Sequence, residues 1–265
     1  MGKRKWLIVI IIAAAVVLVM ALWRPWEHHH EDLSQYRQTE TEPETVQDSE
    51  SETVSETEAY VSPIDFDSLK AVNEDIYAWL EIPGTDISYP ILQHPTEDEY
   101  YLRRDYKGNH AVAGCLFTEH SYNSTTMEDP MTVIYGHDMD NGEMFGSLQT
   151  IYSDEESLKE HQEIIIYLPD KELHYTVFAA VPFDKTHILY NYDFSKQRVA
   201  NIFYQDILST RALGACIDQK AYKGADTNSI ILSTCLKGNN QKRFLVAAQC
   251  NNDNKECGNE WRRFE

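Results

Sequence analysis

The chain has 265 residues, 42% of them hydrophobic, and a formal net charge of −20. This length suffices for a membrane anchor, a linker and one globular domain of roughly 200 residues that buries a full core. The strong negative charge excludes nucleic acid as a partner, because phosphate binding requires clustered Lys and Arg side chains.

The N-terminus has the pattern of an uncleaved membrane anchor. A basic tail (residues 1–5) precedes an apolar stretch (residues 6–23) that begins and ends with Trp. As a helix, this stretch would span about 27 Å, close to the hydrocarbon thickness of about 30 Å, and Trp suits both interfaces. A cleaved signal peptide is the alternative, but its apolar core would be shorter and small residues would mark the cleavage site. We therefore expect a single-pass protein of the cell membrane, with a cytoplasmic N-terminus and everything after residue 24 extracellular.

An acidic linker follows the apolar stretch. Residues 27–60 contain eleven Asp or Glu and one basic residue, Arg37, so half of the net charge lies there. The segment has few large aliphatic residues and cannot bury enough surface to offset the entropy lost on ordering. We predict a flexible stalk over residues 24–61, a folded domain over residues 62–250 and a polar tail over residues 251–265.

Apolar periodicity predicts a mostly β domain with a few helices. Apolar residues recur every three to four positions from Phe66 to Leu80, behind Asp65 as an N-cap, which predicts an N-terminal helix. Further helices are expected over residues 154–161 and 195–213. Short apolar runs bounded by turn residues are typical of strands that close into a small barrel. These runs are residues 87–92, 111–117, 131–135, 164–168, 174–181, 229–234 and 243–249. The apolar face predicted for the last helix consists of Val199, Ile202, Phe203, Ile207 and Leu213.

The five Cys residues show no metal-binding spacing, and their odd number leaves at least one thiol unpaired in a monomer. Cys115, Cys216 and Cys250 are expected to be small buried side chains. Cys257 lies in the polar tail, where a disulfide or no role is expected. Cys235 has a different setting, because it ends an apolar β run.

Three residues supply the groups that thiol-based acyl transfer requires. Cys235 ends the run 230–235, Arg243 opens the next run, and His137 follows the run 131–135. A nucleophilic thiol needs a base or a cationic neighbour, and the acyl transition state needs a donor for its oxyanion. The spacing of eight residues between Cys235 and Arg243 fits a turn between adjacent antiparallel strands. Each residue alone is common in ordinary packing, so the prediction depends on their combination.

The sequence around these residues resembles the sortases, membrane-anchored cysteine transpeptidases of Gram-positive bacteria. Leu232-Ser233-Thr234-Cys235, the downstream Arg243 and the upstream Tyr135-Gly136-His137 match the signature of the family. Residues 77–90 and 135–148 are similar to segments of class B sortases. The resemblance covers nearly all of the predicted domain. It implies a sortase catalytic domain there: a closed β-barrel of about seven to eight strands, with an N-terminal helix and a long helix before the Cys strand.

The resemblance also implies a sorting reaction. Cys235 would attack a Thr carbonyl in the C-terminal sorting signal of a secreted protein, and an amine of a peptidoglycan precursor would resolve the thioacyl enzyme. His137 would act as general acid and base. Arg243 would hold the oxyanion together with the backbone N–H that follows Cys235, and Ser233 and Thr234 would line the pocket. No cofactor and no metal are implied.

Two alternatives remain open at this stage. A pilin-polymerising sortase would use the same three residues with a Lys amine as acceptor, and an inactive barrel would only bind peptides. Leu236-Lys237-Gly238 stands where class B enzymes commonly have acidic residues, and Glu97-Asp98-Glu99 stands where they often have Asn, so no sorting signal is assigned. Among the other His residues, which lack a partner motif, His120 is singled out because it lies in the loop after a strand whose counterpart in the family neighbours the site. The rest, including His187, are expected at the surface or in the core.

Overall fold

A computed structural model describes residues 33–38 and 60–251. Two units can be separated, Met1–Gln35 and Tyr36–Glu265, and every described strand belongs to the second. The helices are α1 (Phe66–Val72), α2 (Leu148–Ile151), α3 (Glu155–Glu160), α4 (Ile188–Asn191) and α5 (Gln197–Ser209), with 3-10 turns at Leu33–Tyr36 and Tyr100–Arg103. The strands are β1 (Ile76–Glu81), β2 (Ser88–Leu92), β3 (Leu116–Phe117), β4 (Met131–Tyr135), β5 (Glu163–Tyr167), β6 (Glu172–Asp184), β7 (Cys216–Ile217), β8 (Ser229–Leu236) and β9 (Asn239–Cys250).

The strands form one sheet that closes on itself. Their order is β5-β1-β2-β3-β4-β8-β9-β6-β7, and an additional antiparallel pairing between β5 and β6 completes a barrel of eight strands. The short β7 adds to β6 outside this ring. The predicted mostly β fold with a closed barrel is confirmed.

The long helix before the Cys strand packs one face against the barrel. Phe203, Tyr204 and Ile207 of α5 are buried in a cluster with Val133 of β4 and Ile231 of β8. The predicted helix is therefore present, although it ends at Ser209. Two residues of its predicted apolar face are exposed, Ile202 by 49% and Leu213, beyond the helix, by 99%.

The predicted N-terminal helix is too long. Asp65 does cap α1, accepting a hydrogen bond from Ser68 N–H at 3.0 Å. The helix ends at Val72, and Ile76–Glu81 forms strand β1 instead. Ile76 to Leu80 are all buried, so both faces of this strand are covered and its apolar residues do not alternate. A continuous apolar run of this kind mimics helical spacing.

The predicted strand over residues 111–117 is reduced to the two residues of β3. Gly114 has a φ of +58°, and a Cβ there would lie 2.6 Å from the Leu102 carbonyl oxygen. Cys115 N–H donates to the Tyr101 carbonyl at 3.1 Å. The chain before β3 therefore packs against the 3-10 turn instead of extending the sheet.

Most of the thiols behave as predicted. Cys115 and Cys216 are free and buried. Cys250 is disulfide-bonded, which corrects the expectation of a free buried side chain. Cys235 is free and partly exposed, as a nucleophile requires.

The predicted localisation, a single-pass membrane protein with an extracellular catalytic domain, is contradicted. Across residues 33–38 and 60–251, no helix is both long and apolar enough to cross a membrane. The apolar stretch 6–23, on which the prediction rested, lies outside the described residues, as do the basic tail 1–5 and residues 252–265 of the C-terminal tail.

Part of the predicted stalk contacts the barrel. Arg37 pairs with Ile64 in an isolated antiparallel bridge, and its guanidinium forms an ion pair with Glu81 of β1. Tyr36 is buried, with its ring centroid 6.4 Å from that of Tyr106. Residues 39–59 of the stalk lie outside the described residues.

Candidate active site

Parallel pairing of β4 with β8 brings the candidate His and Cys to one edge of the barrel. Tyr135 is the register partner of Ser233, and Gly136 N–H donates to the Ser233 carbonyl at 3.1 Å. His137 and Cys235 each follow this pair by two residues. Because parallel strands end at the same edge, both side chains leave the sheet at equivalent positions.

Cys235 and Arg243 lie side by side on the adjacent antiparallel strands. They are direct register partners between β8 and β9, and Arg243 Nη1 lies 3.7 Å from Cys235 Sγ. The same nitrogen donates to the backbone carbonyls of Asn240 (3.5 Å) and Lys242 (3.4 Å). Only Lys237 and Gly238 separate the two strands, and Gly238 has a φ of +75°. A tight turn thus places a permanent positive charge beside the thiol.

The position of His137 is fixed by close packing and two hydrogen bonds. A Cβ on Gly136 would lie 2.6 Å from both Leu116 Cδ2 and Phe145 Cδ2, so the backbone passes there with no room for a side chain. The His137 carbonyl accepts a hydrogen bond from Phe145 N–H at 3.0 Å. The Nε2–H of the His137 ring donates to the Leu102 carbonyl at 2.7 Å. Since a carbonyl only accepts, a neutral His137 ring carries its proton on Nε2 and leaves Nδ1 as the acceptor.

The three candidate residues line one cleft, but not all of them touch. In the part of the chain that the structure describes, no hydrogen bond joins His137 to Cys235. The cleft has a volume of about 200 Å³. Its other lining residues include Ser233 and Thr234, Phe117, Glu119 and Tyr135 from the β3–β4 side, and residues 184–188 from the end of β6 to the start of α4.

Ser233 and Thr234 face opposite sides of β8. Side chains alternate along a strand, so Ser233 shares the face of Cys235, which is also the face of the buried Ile231 beneath α5. Thr234 points to the other side. Its Oγ1 is buried and has no hydrogen-bond partner among the described residues.

A buried carboxylate on the cleft wall, that of Glu119, was not predicted from the sequence as a site residue. Glu119 follows β3, and its carboxylate accepts hydrogen bonds from Tyr135 Oη at 3.0 Å and His187 Nε2 at 2.9 Å. Burial raises the pKa of Glu119, although the bonds to His187 and Tyr135 oppose the rise. Burial and Glu119 raise the pKa of Tyr135. His120, whose loop the resemblance brought near the site, pairs with Asp98 at 2.6 Å and does not line the cleft.

The sequence of this chain matches a family model. A sortase domain model matches residues 80–251, well over half of the chain. Sortase B of Staphylococcus aureus is 26% identical over 256 residues, covering 94% of this chain and 98% of that protein. Sortase B of Listeria monocytogenes is 42% identical over 93 residues, which are 35% of this chain and 37% of that protein.

Solved structures agree with the sequence comparison. Sortase B from Bacillus anthracis in complex with AAEK1 has a TM-score of 0.62 at 26% identity, covering 74% of this chain and 89% of that chain. Spy0129, a Streptococcus pyogenes class B sortase involved in pilus biogenesis, has a TM-score of 0.59 at 26% identity, covering 70% and 97%. The chain therefore belongs to the sortase family of cysteine transpeptidases, within class B.

Proposed function

We propose that this chain cleaves the C-terminal sorting signal of a secreted protein and joins that protein to an amine of the cell-wall peptidoglycan. The adjacent placement of Cys235 and Arg243, with Nη1 3.7 Å from Sγ, is the observation that carries the proposal. A cleft that also contains His137 supports it. We assign the catalytic domain to residues 62–250, and the family match over residues 80–251 supports that assignment.

In the first half of the reaction, the Cys235 thiol gives its proton to His137, and the thiolate attacks the carbonyl carbon of the scissile peptide bond. The resulting oxyanion accepts hydrogen bonds from the Arg243 guanidinium and from Leu236 N–H. His137 protonates the leaving amine, the C–N bond breaks, and a thioester on Cys235 remains. Arg suits the oxyanion role because its guanidinium stays charged and offers several donors.

In the second half, the acceptor amine attacks the thioester carbonyl. His137 takes the proton from the incoming amine, Arg243 again holds the oxyanion, and the Cys235 thiolate leaves. The product is an amide between the sorted protein and the acceptor. Ser233 lies on the cleft face of β8 and would contact the signal, whereas Thr234 would contribute chiefly through its backbone.

The present hydrogen bond of the His137 ring leaves one ring nitrogen available for the two proton transfers. Its Nε2–H donates to the Leu102 carbonyl, which belongs to the 3-10 turn Tyr100–Arg103. In a neutral ring this bond fixes the proton on Nε2 and leaves Nδ1 free. A rotation of the imidazole, or proton transfer through Nδ1, would bring a proton to the leaving nitrogen.

A pilin-type acceptor is the second candidate function. The Streptococcus pyogenes neighbour is a class B sortase involved in pilus biogenesis, and it covers 70% of this chain. Such an enzyme would use the Lys Nε of another protein subunit in the second half of the reaction. The first half and its three residues would be unchanged.

One experiment tests both functions. The purified full chain and a Cys235→Ala variant would be incubated with a library of sorting-signal peptides plus an oligoglycine amine, a peptidoglycan stem peptide or a Lys-bearing peptide, with mass-spectrometric detection. A Cys235-dependent adduct with the oligoglycine or stem peptide would support wall anchoring, and one with the Lys peptide only would favour pilus assembly. Absence of any thioacyl enzyme or adduct would leave a peptide-binding barrel and overturn the proposal.

A further inference from the structure

The side chain of Gln149 forms two hydrogen bonds to the backbone immediately after the nucleophile. Gln149 Nε2 donates to the Cys235 carbonyl at 3.3 Å, and its Oε1 accepts from Lys237 N–H at 2.9 Å. These partners lie more than 80 positions away in sequence. One carboxamide thus forms hydrogen bonds to the residues on both sides of Leu236.

The Cys235 carbonyl and Leu236 N–H belong to the same peptide group. That group is planar and trans, so its C=O and N–H point in opposite directions. A hydrogen bond that fixes the direction of the carbonyl therefore also fixes the direction of the N–H. In the proposed mechanism this N–H is the second donor to the oxyanion.

The strand ladder alone does not fix this peptide group. The register between β8 and β9 shifts at this point, where Cys235 pairs with Arg243 but Leu236 pairs with Asn239. Irregular pairing leaves backbone groups without their usual partners. Gln149 supplies hydrogen bonds at the interruption.

Gln149 also connects this turn to the segment that carries His137. It lies in the short helix α2, next to Leu148, whose side chain is fully buried. The start of α2 is joined to the His137 segment by the backbone: Leu148 N–H donates to the Phe145 carbonyl at 3.2 Å, and Phe145 N–H donates to the His137 carbonyl at 3.0 Å. The helix that carries Gln149 is therefore hydrogen-bonded to the His137 segment, and its carboxamide is hydrogen-bonded to the turn after Cys235.

We propose that Gln149 is a positioning residue of the oxyanion site, which orients the Cys235–Leu236 peptide group and ties it to α2, the helix that follows the His137 segment. The inference rests on the proposed function, since it assigns an orienting partner to that mechanism's second oxyanion donor. A Gln is required because it has both a donor and an acceptor at one end. Glu lacks the donor, and Asn is shorter by one carbon–carbon bond of about 1.5 Å.

Three variants of the full chain test this role. Gln149→Met keeps the length and removes both hydrogen bonds, Gln149→Glu keeps only the acceptor, and Thr150→Ala changes the exposed neighbour on the same helix as a control. We expect kcat to fall about 10- to 100-fold for Gln149→Met with KM within about twofold, since an oxyanion donor acts in the transition state. Gln149→Glu should also lose kcat, and Thr150→Ala should match the parent chain.

Two further measurements, hydrogen–deuterium exchange and thiol alkylation, do not depend on catalytic turnover. Hydrogen–deuterium exchange of the peptide that contains Lys237 should be faster in Gln149→Met and unchanged in Thr150→Ala, because a hydrogen bond to Lys237 N–H is lost. The rate of Cys235 alkylation by iodoacetamide should stay within about twofold, since alkylation forms no oxyanion.

The outcomes separate this inference from the proposed function. An inactive parent chain would overturn the proposed function, and the exchange data would then still decide whether Gln149 holds the turn. Parent-like kcat and exchange in Gln149→Met would overturn the positioning role. A parallel fall of alkylation and kcat would also overturn it, because the effect would then lie on the thiol or on the fold.

Discussion

Arg243 stands directly opposite Cys235 in the β8–β9 ladder, with its Nη1 3.7 Å from the thiol sulfur. Two backbone carbonyls in the β8–β9 hairpin also accept from that nitrogen, so the guanidinium is held where the oxyanion of the proposed reaction would form. The arrangement gives the thiol a cationic neighbour without placing an ion pair in the core.

Replacing Arg243 should impair catalysis far more than folding. We expect Arg243→Ala to lower kcat about 10²- to 10³-fold, as loss of an oxyanion donor typically does. Arg243→Lys should be intermediate, because Lys keeps the charge but lacks the planar fork of donors. Steady-state transpeptidation kinetics measure both effects.

The exposed neighbour Lys242 provides a matched control. It lies on the same strand, and Lys242→Ala removes a positive charge without changing the group beside the sulfur. Its kcat should stay within about twofold of the parent value. An Arg243→Ala enzyme with nearly parental kcat would contradict the role assigned to Arg243.

Gly136 is required for the placement of His137. A Cβ at this position would lie 2.6 Å from side-chain atoms of Leu116 and Phe145, both fully buried. Gly136→Ala should cost about 1–3 kcal/mol of unfolding free energy, typical of overpacking. It should also lower kcat/KM by tenfold or more in the folded protein, because the backbone shift moves the imidazole.

Urea unfolding and kinetics on the same preparation separate these two effects. Gly142→Ala is the control within the same loop: its Cβ would meet nothing within 4 Å, although its φ of +87° imposes some strain. This variant should lose some stability and keep its activity. Parental activity in Gly136→Ala would show that the tight packing does not position His137.

A buried polar network lies at the opposite end of the Cys strand, where Gln249 of β9 is the register partner of Ser229. Gln249 is fully buried, and its amide accepts from Lys223 N–H at 2.7 Å and donates to the Gly224 carbonyl at 2.6 Å and Ser229 Oγ at 3.2 Å. Gln249→Leu would remove these three hydrogen bonds and leave the Lys223 N–H without its acceptor, which should cost about 2–4 kcal/mol. Chemical denaturation measures this cost.

Catalytic activity should be little affected by this loss of unfolding free energy. Ser229 and Cys235 lie at opposite ends of β8, about 20 Å apart at the usual rise per residue. The folded fraction of Gln249→Leu should therefore retain its kcat/KM, and the exposed Gln241→Ala should change stability by less than about 0.5 kcal/mol. A parental unfolding free energy in Gln249→Leu would mean that the network contributes nothing to stability.

The hairpin of the site was predictable because it is local. Each of its strands contains an apolar run, Ile230 to Leu232 and Phe244 to Ala248, and the short turn at Lys237–Gly238 keeps Cys235 and Arg243 close in sequence. The helix α5 was predictable for the same reason, since its amphipathic pattern lies within one segment.

The contacts that complete the site were not predictable from spacing. The parallel pairing of Tyr135 with Ser233 joins residues almost a hundred positions apart, and only the family resemblance connected them. Glu119 and His187 meet across 68 positions, and neither has a local pattern that indicates its partner. Polar residues of this kind are identified by tertiary contacts, which periodicity does not encode.

Glu119, in the wall of the cleft, should make the free energy of unfolding depend on pH. Burial raises its pKa above the usual value of 4.5 and nearby Asp98 adds to the rise, while the bonds to His187 and Tyr135 partly offset it. The folded state thus binds this proton more tightly than the unfolded chain does. The stabilisation from Glu119 is therefore full below pH 4.5 and is lost as the pH rises through the raised pKa.

Glu119→Gln removes this titration. The unfolding free energy of this variant, measured by urea denaturation from pH 4 to pH 7.5, should therefore decline less with rising pH than that of the parent chain. Glu160→Gln, at the exposed end of α3, should keep the parental slope, and equal slopes for Glu119→Gln and the parent would rule out the raised pKa.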